Sequence, residues 1–113
     1  MASLTFPISV NANIEDQYFP NLNVRPRDFS ERYHLGVITS AGGLLCTQFI
    51  ADDLSLSKAL GYRDGIVNVY SMEGERAREF TVDAINQGIL VMQNMDKSPF
   101  SKEQLKKCNS LKI

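Results

Sequence analysis

The stretch "HLGVITSAGGLLCTQFI", residues 34–50, carries the strongest local signal in this sequence. Two runs rich in β-branched residues, 34–40 and 44–50, lie on either side of the tripeptide Ala-Gly-Gly at 41–43. Glycines supply the positive φ angles that a tight hairpin turn requires, and β-branched residues favour strands. We therefore expect a β-hairpin here, as part of an antiparallel sheet.

A further strand is predicted at residues 4–14, "LTFPISVNANI", where apolar and polar residues alternate without a break. Pro7 has no N–H to donate to a ladder, so this strand is expected at an edge of the sheet. An open edge predicts pairing with a second copy of the chain or with a strand of a partner. The predicted core consists of apolar residues from these elements and their neighbours: Phe6, Ile8, Val10, Val37, Phe49, Leu60 and Val69.

A second hairpin is predicted between residues 65–72 and 76–82, because both runs are β-rich and "EGE" at 73–75 forms a turn between them. A short helix is expected in "ADDLSLSKALGY", capped by Asp52 or Asp53 and stopped by Gly61. These elements alternate hairpins with short helices.

The sequence of the C-terminal third fits more than one secondary structure. Residues 83–95 fit either a helix or a strand, and the helical spacing of their apolar residues favours the helix. Ser101 and Gln104 have the spacing of a capping box, which predicts a final short helix.

Together these elements predict an α+β fold with an antiparallel β-sheet built from hairpins and two to four short helices. A chain of 113 residues suits a single globular domain over residues 1–113. Within it we expect a long loop or short-helix segment at 15–33 and a lysine-rich helical tail at 98–113.

Composition and charge exclude several classes of protein. The formal charge of −1 gives no global attraction to nucleic acid or anionic lipid. No apolar run approaches the ~20 residues of a membrane span, and "MASLTF" lacks the basic start of a signal peptide. We therefore expect no membrane association and a cytoplasmic, intracellular location. Cys46 and Cys108 are predicted to be free thiols, since a core of this size needs no staple.

The sequence offers no set of residues that names a chemistry. His34 is the one histidine, which excludes metal sites built from several imidazoles. The glycines reproduce no phosphate-binding loop, and no nucleophile motif is present. We expect a protein that is not an enzyme, without catalytic, cofactor-binding or metal-binding residues and without cofactors.

The segment 15–33 is the predicted binding region. It interleaves arginines with aromatic residues, at Tyr18, Phe19, Arg25, Arg27, Phe29, Arg32 and Tyr33. Both residue types are enriched at the hot spots of protein interfaces. We therefore expect a non-enzymatic interaction protein, such as an adaptor, inhibitor or accessory regulatory factor. It would bind a protein partner through this segment and a sheet edge, and it would form at least a weak homodimer.

An alternative remains open, because the same residue types neutralise phosphates and stack on unpaired bases. That alternative is a single-stranded nucleic-acid-binding protein. In addition, "GGLLCTQFIADDLSLSKALGY", residues 42–62, resembles the hairpin, acidic residue and "ALGY" helix at the front of the Bro domain of phage antirepressors. The resemblance covers about a fifth of the chain and implies a viral or phage-type DNA-binding regulatory module.

Overall fold

The computed structural model describes residues 22–113, and every regular element in that range is a helix. The elements are α1 (Phe29–Ile50), α2 (Leu56–Ser71), α3 (Glu75–Gln93), α4 (Lys102–Lys106) and a 3₁₀ helix (Lys107–Leu111). Because the described residues contain no strand, the predicted α+β fold with its antiparallel sheet is wrong. The strand expected at 4–14 lies outside the described residues.

Helix α1 occupies the stretch for which a hairpin was predicted. Its buried residues recur every three or four positions, at Leu35, Ile38, Thr39, Gly42, Leu45, Cys46 and Ile50. That spacing is the inward stripe of a helix, and burial of the stripe overrides the strand preference of its β-branched members. Asp28 caps the helix, since its carboxylate accepts a hydrogen bond from the Glu31 N–H at 2.9 Å.

The glycines of α1 allow a close helix contact and do not form a turn. A Cβ atom on Gly42 would lie 2.6 Å from the carbonyl oxygen of Ile85 in α3, and one on Gly88 would overlap the carbonyl oxygen of Thr39. Real Cβ atoms do not approach other atoms so closely. The backbones of α1 and α3 can therefore pack against each other only because both positions lack a side chain.

The second predicted hairpin is also wrong, because residues 65–72 and 76–82 belong to the end of α2 and the start of α3. The turn between them is confirmed, although it joins helices, and Gly74 in it has a φ of 117°. Helix α2 is capped by Ser55, whose hydroxyl accepts from the Lys58 N–H at 3.2 Å. It is not capped by the predicted aspartates, and it continues through Gly61.

The helical interpretation of residues 83–95 is confirmed, since α3 runs through to Gln93. The capping box at the start of α4 is confirmed as well. Ser101 accepts from the Gln104 N–H at 3.1 Å, and the Gln104 side chain accepts from the Ser101 N–H at 2.9 Å.

Two residues of the predicted core lie on the outside of helices. Val37 and Val69 are exposed, whereas Phe49 and Leu60 are half-buried against the core. The other three predicted core residues, Phe6, Ile8 and Val10, lie outside the described residues. Strand alternation assigns faces with a period of two, so it places residues of a helix on the wrong side.

The C-terminal segment is joined to α1 by a disulfide between Cys46 and Cys108, so the prediction of free thiols is wrong. Both cysteines are fully buried, because the 3₁₀ helix packs Cys108 and Leu111 against the core. The segment is also fixed by Arg63, which donates to the carbonyl oxygen of Leu111 at 3.0 Å. None of the described helices combines the length and the apolar character needed to cross a membrane.

Candidate functional site

Five of the seven predicted binding residues surround the start of α1. We call them the N-terminal patch, and they are Arg25, Arg27, Phe29, Arg32 and Tyr33; all five are exposed. Phe29 is 80% exposed and Tyr33 is 62% exposed. Residues four positions apart share a helix face, so the two rings are neighbours on the surface. The other two predicted residues, Tyr18 and Phe19, lie outside the described residues.

The chain before α1 is anchored in a way that holds the patch at the surface. The carboxylate of Asp83, in the middle of α3, accepts hydrogen bonds from the backbone N–H groups of Asn23 at 2.6 Å and Val24 at 3.1 Å. The side chains of Leu22 and Val24 pack against the core. Because these residues are fixed inward, the patch that follows them is presented to solvent.

A charged network links the patch to α3. Glu31 forms ion pairs with Arg27 and with Arg76, each with an N···O distance of 2.9 Å. Arg76 also donates to the carbonyl oxygen of Arg25 at 2.9 Å. The hydrogen bond from Arg76, followed by those from Arg27, lowers the pKa of Glu31 to about 2 in spite of partial burial. Arg27, one of the three arginines of the patch, is therefore held in an ion pair at the start of α1.

A groove of about 310 Å³ lies beside this network, between the start of α1, the end of α2 and the start of α3. His34 lies at its wall, with its ring 6.1 Å from that of Tyr33 and 5.7 Å from that of Tyr70, both in edge-to-face geometry. Glu73 and Arg76 also line the groove. Among the described residues, no hydrogen bond orients the imidazole toward a nucleophile, and no cluster suits a metal ion.

Sequence reasoning missed several residues of this region. Tyr70 and Arg76 were assigned to the two strands of the second hairpin, although they reach the groove from α2 and α3. Val69 and Met72 expose their side chains at the end of α2. The β-rich composition of "GIVNVYSM" concealed the helical period that directs Ala59, Val67 and Tyr70 toward the core.

The N-terminal patch combines exposed aromatic rings with arginines on one surface, which is the chemistry of macromolecular contact. The stretch 42–62 that resembles a Bro domain contains the end of α1, a connecting loop and the first turns of α2, so the hairpin of that resemblance is not formed. No protein-family model, curated protein or solved structure matches this chain.

Proposed function

We propose that this protein is a non-enzymatic interaction protein, an adaptor, inhibitor or accessory factor that binds a protein partner through the N-terminal patch. The observation that supports it most directly is the exposure of Phe29 and Tyr33, 80% and 62%, on one face at the start of α1. Large aromatic side chains that bury their rings on association dominate the energetics of protein interfaces. The sheet edge that was expected to contribute has no counterpart among residues 22–113.

The electrostatics of the patch favour a protein partner over nucleic acid. Asp28 and Glu31 lie among its three arginines, and Glu31 holds Arg27 in an ion pair. Proteins that bind single strands without sequence preference present a positive groove that follows the phosphate backbone. A surface of mixed charge with two exposed rings suits the rim and centre of a protein interface better.

The disulfide between Cys46 and Cys108 is relevant to the cellular compartment in which the protein resides. Disulfides persist in oxidising compartments and are rare in the cytosol, where thiols are kept reduced. We therefore favour an oxidising compartment over the cytoplasmic location expected from the sequence. Lysis of the cells in acid and denaturant, alkylation of thiols without reduction and mass spectrometry test this, because denaturation exposes both buried cysteines. We expect unmodified Cys46 and Cys108, whereas alkylation of both would show a reduced pair and would favour the cytoplasm.

The function is tested by capture and then by affinity. A photo-reactive phenylalanine analogue placed at Tyr33 should crosslink the partner in cells of the native host, and the same analogue at Tyr62 provides the control. Tyr62 in α2 is 59% exposed, so the two positions are matched in residue type and accessibility. A product specific to position 33 identifies the partner, which is then purified.

The purified partner allows a quantitative test. The double variant Phe29→Ala/Tyr33→Ala should weaken binding by about 30-fold or more, because hot-spot truncations cost ~2 kcal/mol or more. Tyr62→Ala should leave the affinity unchanged, and thermal stability should change little in both variants, since surface truncations have small effects. Equal affinities for all variants would refute the proposal. Salt-dependent binding of labelled single-stranded DNA, lost in Arg25→Ala/Arg32→Ala, would favour the nucleic-acid alternative.

A further inference from the structure

The outward face of α1 carries no charged side chain over most of its length. After Glu31 and Arg32 in the first turn, no acidic or basic residue occurs up to the end of the helix at Ile50, apart from His34 in the groove. A helix face that remains in water normally carries charged and polar residues. Here the exposed residues include Val37 and Leu44, which are 46% and 57% exposed.

Five residues of this face form what we call the α1 strip: Gly36, Val37, Ser40, Gly43 and Leu44. Their spacing of three and four positions places them on one side of the helix. The strip follows the N-terminal patch along α1 and shares no residue with it, although Val37 lies four positions after Tyr33 on the same face.

An apolar groove of about 440 Å³ borders the strip, between α1 and α3. Gly43 and Leu44 line it from α1, and Gly88 and Val91 line it from α3. Neither Gly43 nor Gly88 adds a side chain to the groove, and a Cβ on Gly43 would lie 3.4 Å from the carbonyl oxygen of Gly88. Val91 exposes an apolar side chain on the α3 side of the groove, so the apolar surface extends beyond α1.

The strip is complementary to itself about Ser40. Leu44 follows Ser40 at i+4 and Gly36 precedes it at i−4, while Val37 lies at i−3 and Gly43 at i+3. If two α1 helices cross antiparallel at Ser40, each Leu44 faces Gly36 of the second copy. Each Val37 likewise faces Gly43 of the second copy.

Each large side chain of one copy thus lies opposite a glycine of the second copy. No atom lies within 4 Å of a Cβ built on Gly36, so space for the leucine is present there. At Gly43 the neighbouring groove provides the space for Val37.

The strip carries no charge that would oppose a two-fold contact. In an interface with two-fold symmetry, a charged residue near the axis would meet its own copy, and the strip contains none.

We propose that the α1 strip binds a second copy of this chain, with the two α1 helices antiparallel about a two-fold axis at Ser40. The strip has five residues, fewer than the roughly 20 to 30 per partner of a standard interface, so the contact belongs to the small and transient class. We expect a reversible dimer with a Kd of about 1 µM to 1 mM. The dimer does not rest on the proposed function, because its central contacts are made by residues 36–44, none of which belongs to the N-terminal patch.

The test is sedimentation equilibrium of the oxidised full chain from about 5 µM to about 1 mM, the range that the expected affinity requires. Gly36→Leu should raise the dimer Kd by about tenfold or more, because the new side chain collides with Leu44 of the second copy. The matched control is Gly61→Leu on the exposed face of α2, where a Cβ also meets open space. It should leave the Kd within about twofold, and neither variant should unfold the monomer.

Exchanging the residues at positions 36 and 44 tests whether the loss of dimerisation in Gly36→Leu is due to a steric clash. The double variant Gly36→Leu/Leu44→Gly again places a leucine opposite a glycine across the axis, so it should restore dimerisation to within about threefold of the original Kd. Three results would each overturn the proposal: a strict monomer over the whole concentration range, an unaffected dimer in Gly36→Leu, or a swap that remains monomeric.

Discussion

Glycine serves opposite purposes in two regions of this molecule. In the pair formed by α1 and α3, Gly42 and Gly88 allow the two backbones to touch, and neither position has room for a Cβ atom. In α2, Gly61 and Gly65 face solvent and a Cβ there would contact nothing. The first pair is required by tertiary packing, whereas the second only lowers the helix propensity of α2.

The α1–α3 pair also buries more residues than α2 does. Helix α3 buries residues throughout its central turns, from Phe80 to Ile89, whereas α2 buries only Ala59 and Val67 among the described residues. The disulfide further strengthens the first region, because it joins α1 to the C-terminal 3₁₀ helix. Stability is therefore concentrated in the α1–α3 pair, and α2 should be the first long helix to open in hydrogen exchange.

The largest expected effect comes from removing the disulfide. It closes a loop with a sequence separation of 62 residues, and cross-links of this span restrict the unfolded chain by about 4 kcal/mol. Urea denaturation of the reduced protein, with dithiol present throughout, should show a loss of that size in the free energy of unfolding. The oxidised protein is the control. An unchanged midpoint would mean that the C-terminal segment contributes little to the α1–α3 region.

The next largest effect is expected for Gly88→Ala. The added methyl group would overlap the carbonyl oxygen of Thr39, which belongs to the backbone and cannot rotate away, so the helices must separate. Overpacking of this kind costs about 3 kcal/mol. The free energy of unfolding from urea titration provides the measurement. A loss below about 1 kcal/mol would show that α1 and α3 can shift apart easily, and that their packing does not require a glycine at position 88.

Local signals predicted some of these elements, and non-local contacts decided the rest. The capping box of Ser101 and Gln104 and the turn at 73–75 depend on neighbouring residues, and both are formed. The hairpin at 34–50 was predicted because Gly42 is typical of a turn in isolation. Its actual role depends on Ile85, a residue far away in the sequence. No local pattern contains that information.

The same distinction applies to the disulfide and to the candidate site. Cys46 and Cys108 meet only after the 3₁₀ helix packs against α1, so their pairing could not be deduced from spacing. The aromatic and basic character of Phe29, Arg32 and Tyr33 was evident from the sequence, and their exposure agrees with a binding surface. That they bind a partner stays a prediction.

The ion pair between Glu31 and Arg76 joins the start of α1 to the start of α3 and gives a smaller effect that depends on pH. The pKa of Glu31 is about 2 in the folded protein and 4.5 without its partners. Because the folded value is lower, the ion pair stabilises the protein fully above pH 4.5, and this contribution disappears as the pH falls toward 2.

Glu31→Gln removes the pair, and at pH 7 it should cost about 1 kcal/mol after allowance for solvent screening. The difference between variant and original should shrink as urea titrations are repeated at decreasing pH. Glu103→Gln is the control, since Glu103 forms only an exposed contact of 4.0 Å with Lys106. A difference independent of pH would assign the cost to packing and not to charge.

The smallest effect has the opposite sign and provides the sharpest test of the contrast between the two regions. Gly65→Ala makes the same chemical change as Gly88→Ala, but in the interior of α2, where the new methyl group meets open space. Alanine loses less conformational entropy than glycine when a helix forms, so the free energy of unfolding should rise by about 0.5 to 1 kcal/mol. Urea denaturation under the conditions used for Gly88→Ala measures it, and helix content by circular dichroism should not fall. A loss of stability would mean that this face of α2 is packed against another part of the protein, and glycine would then have a packing role in both regions.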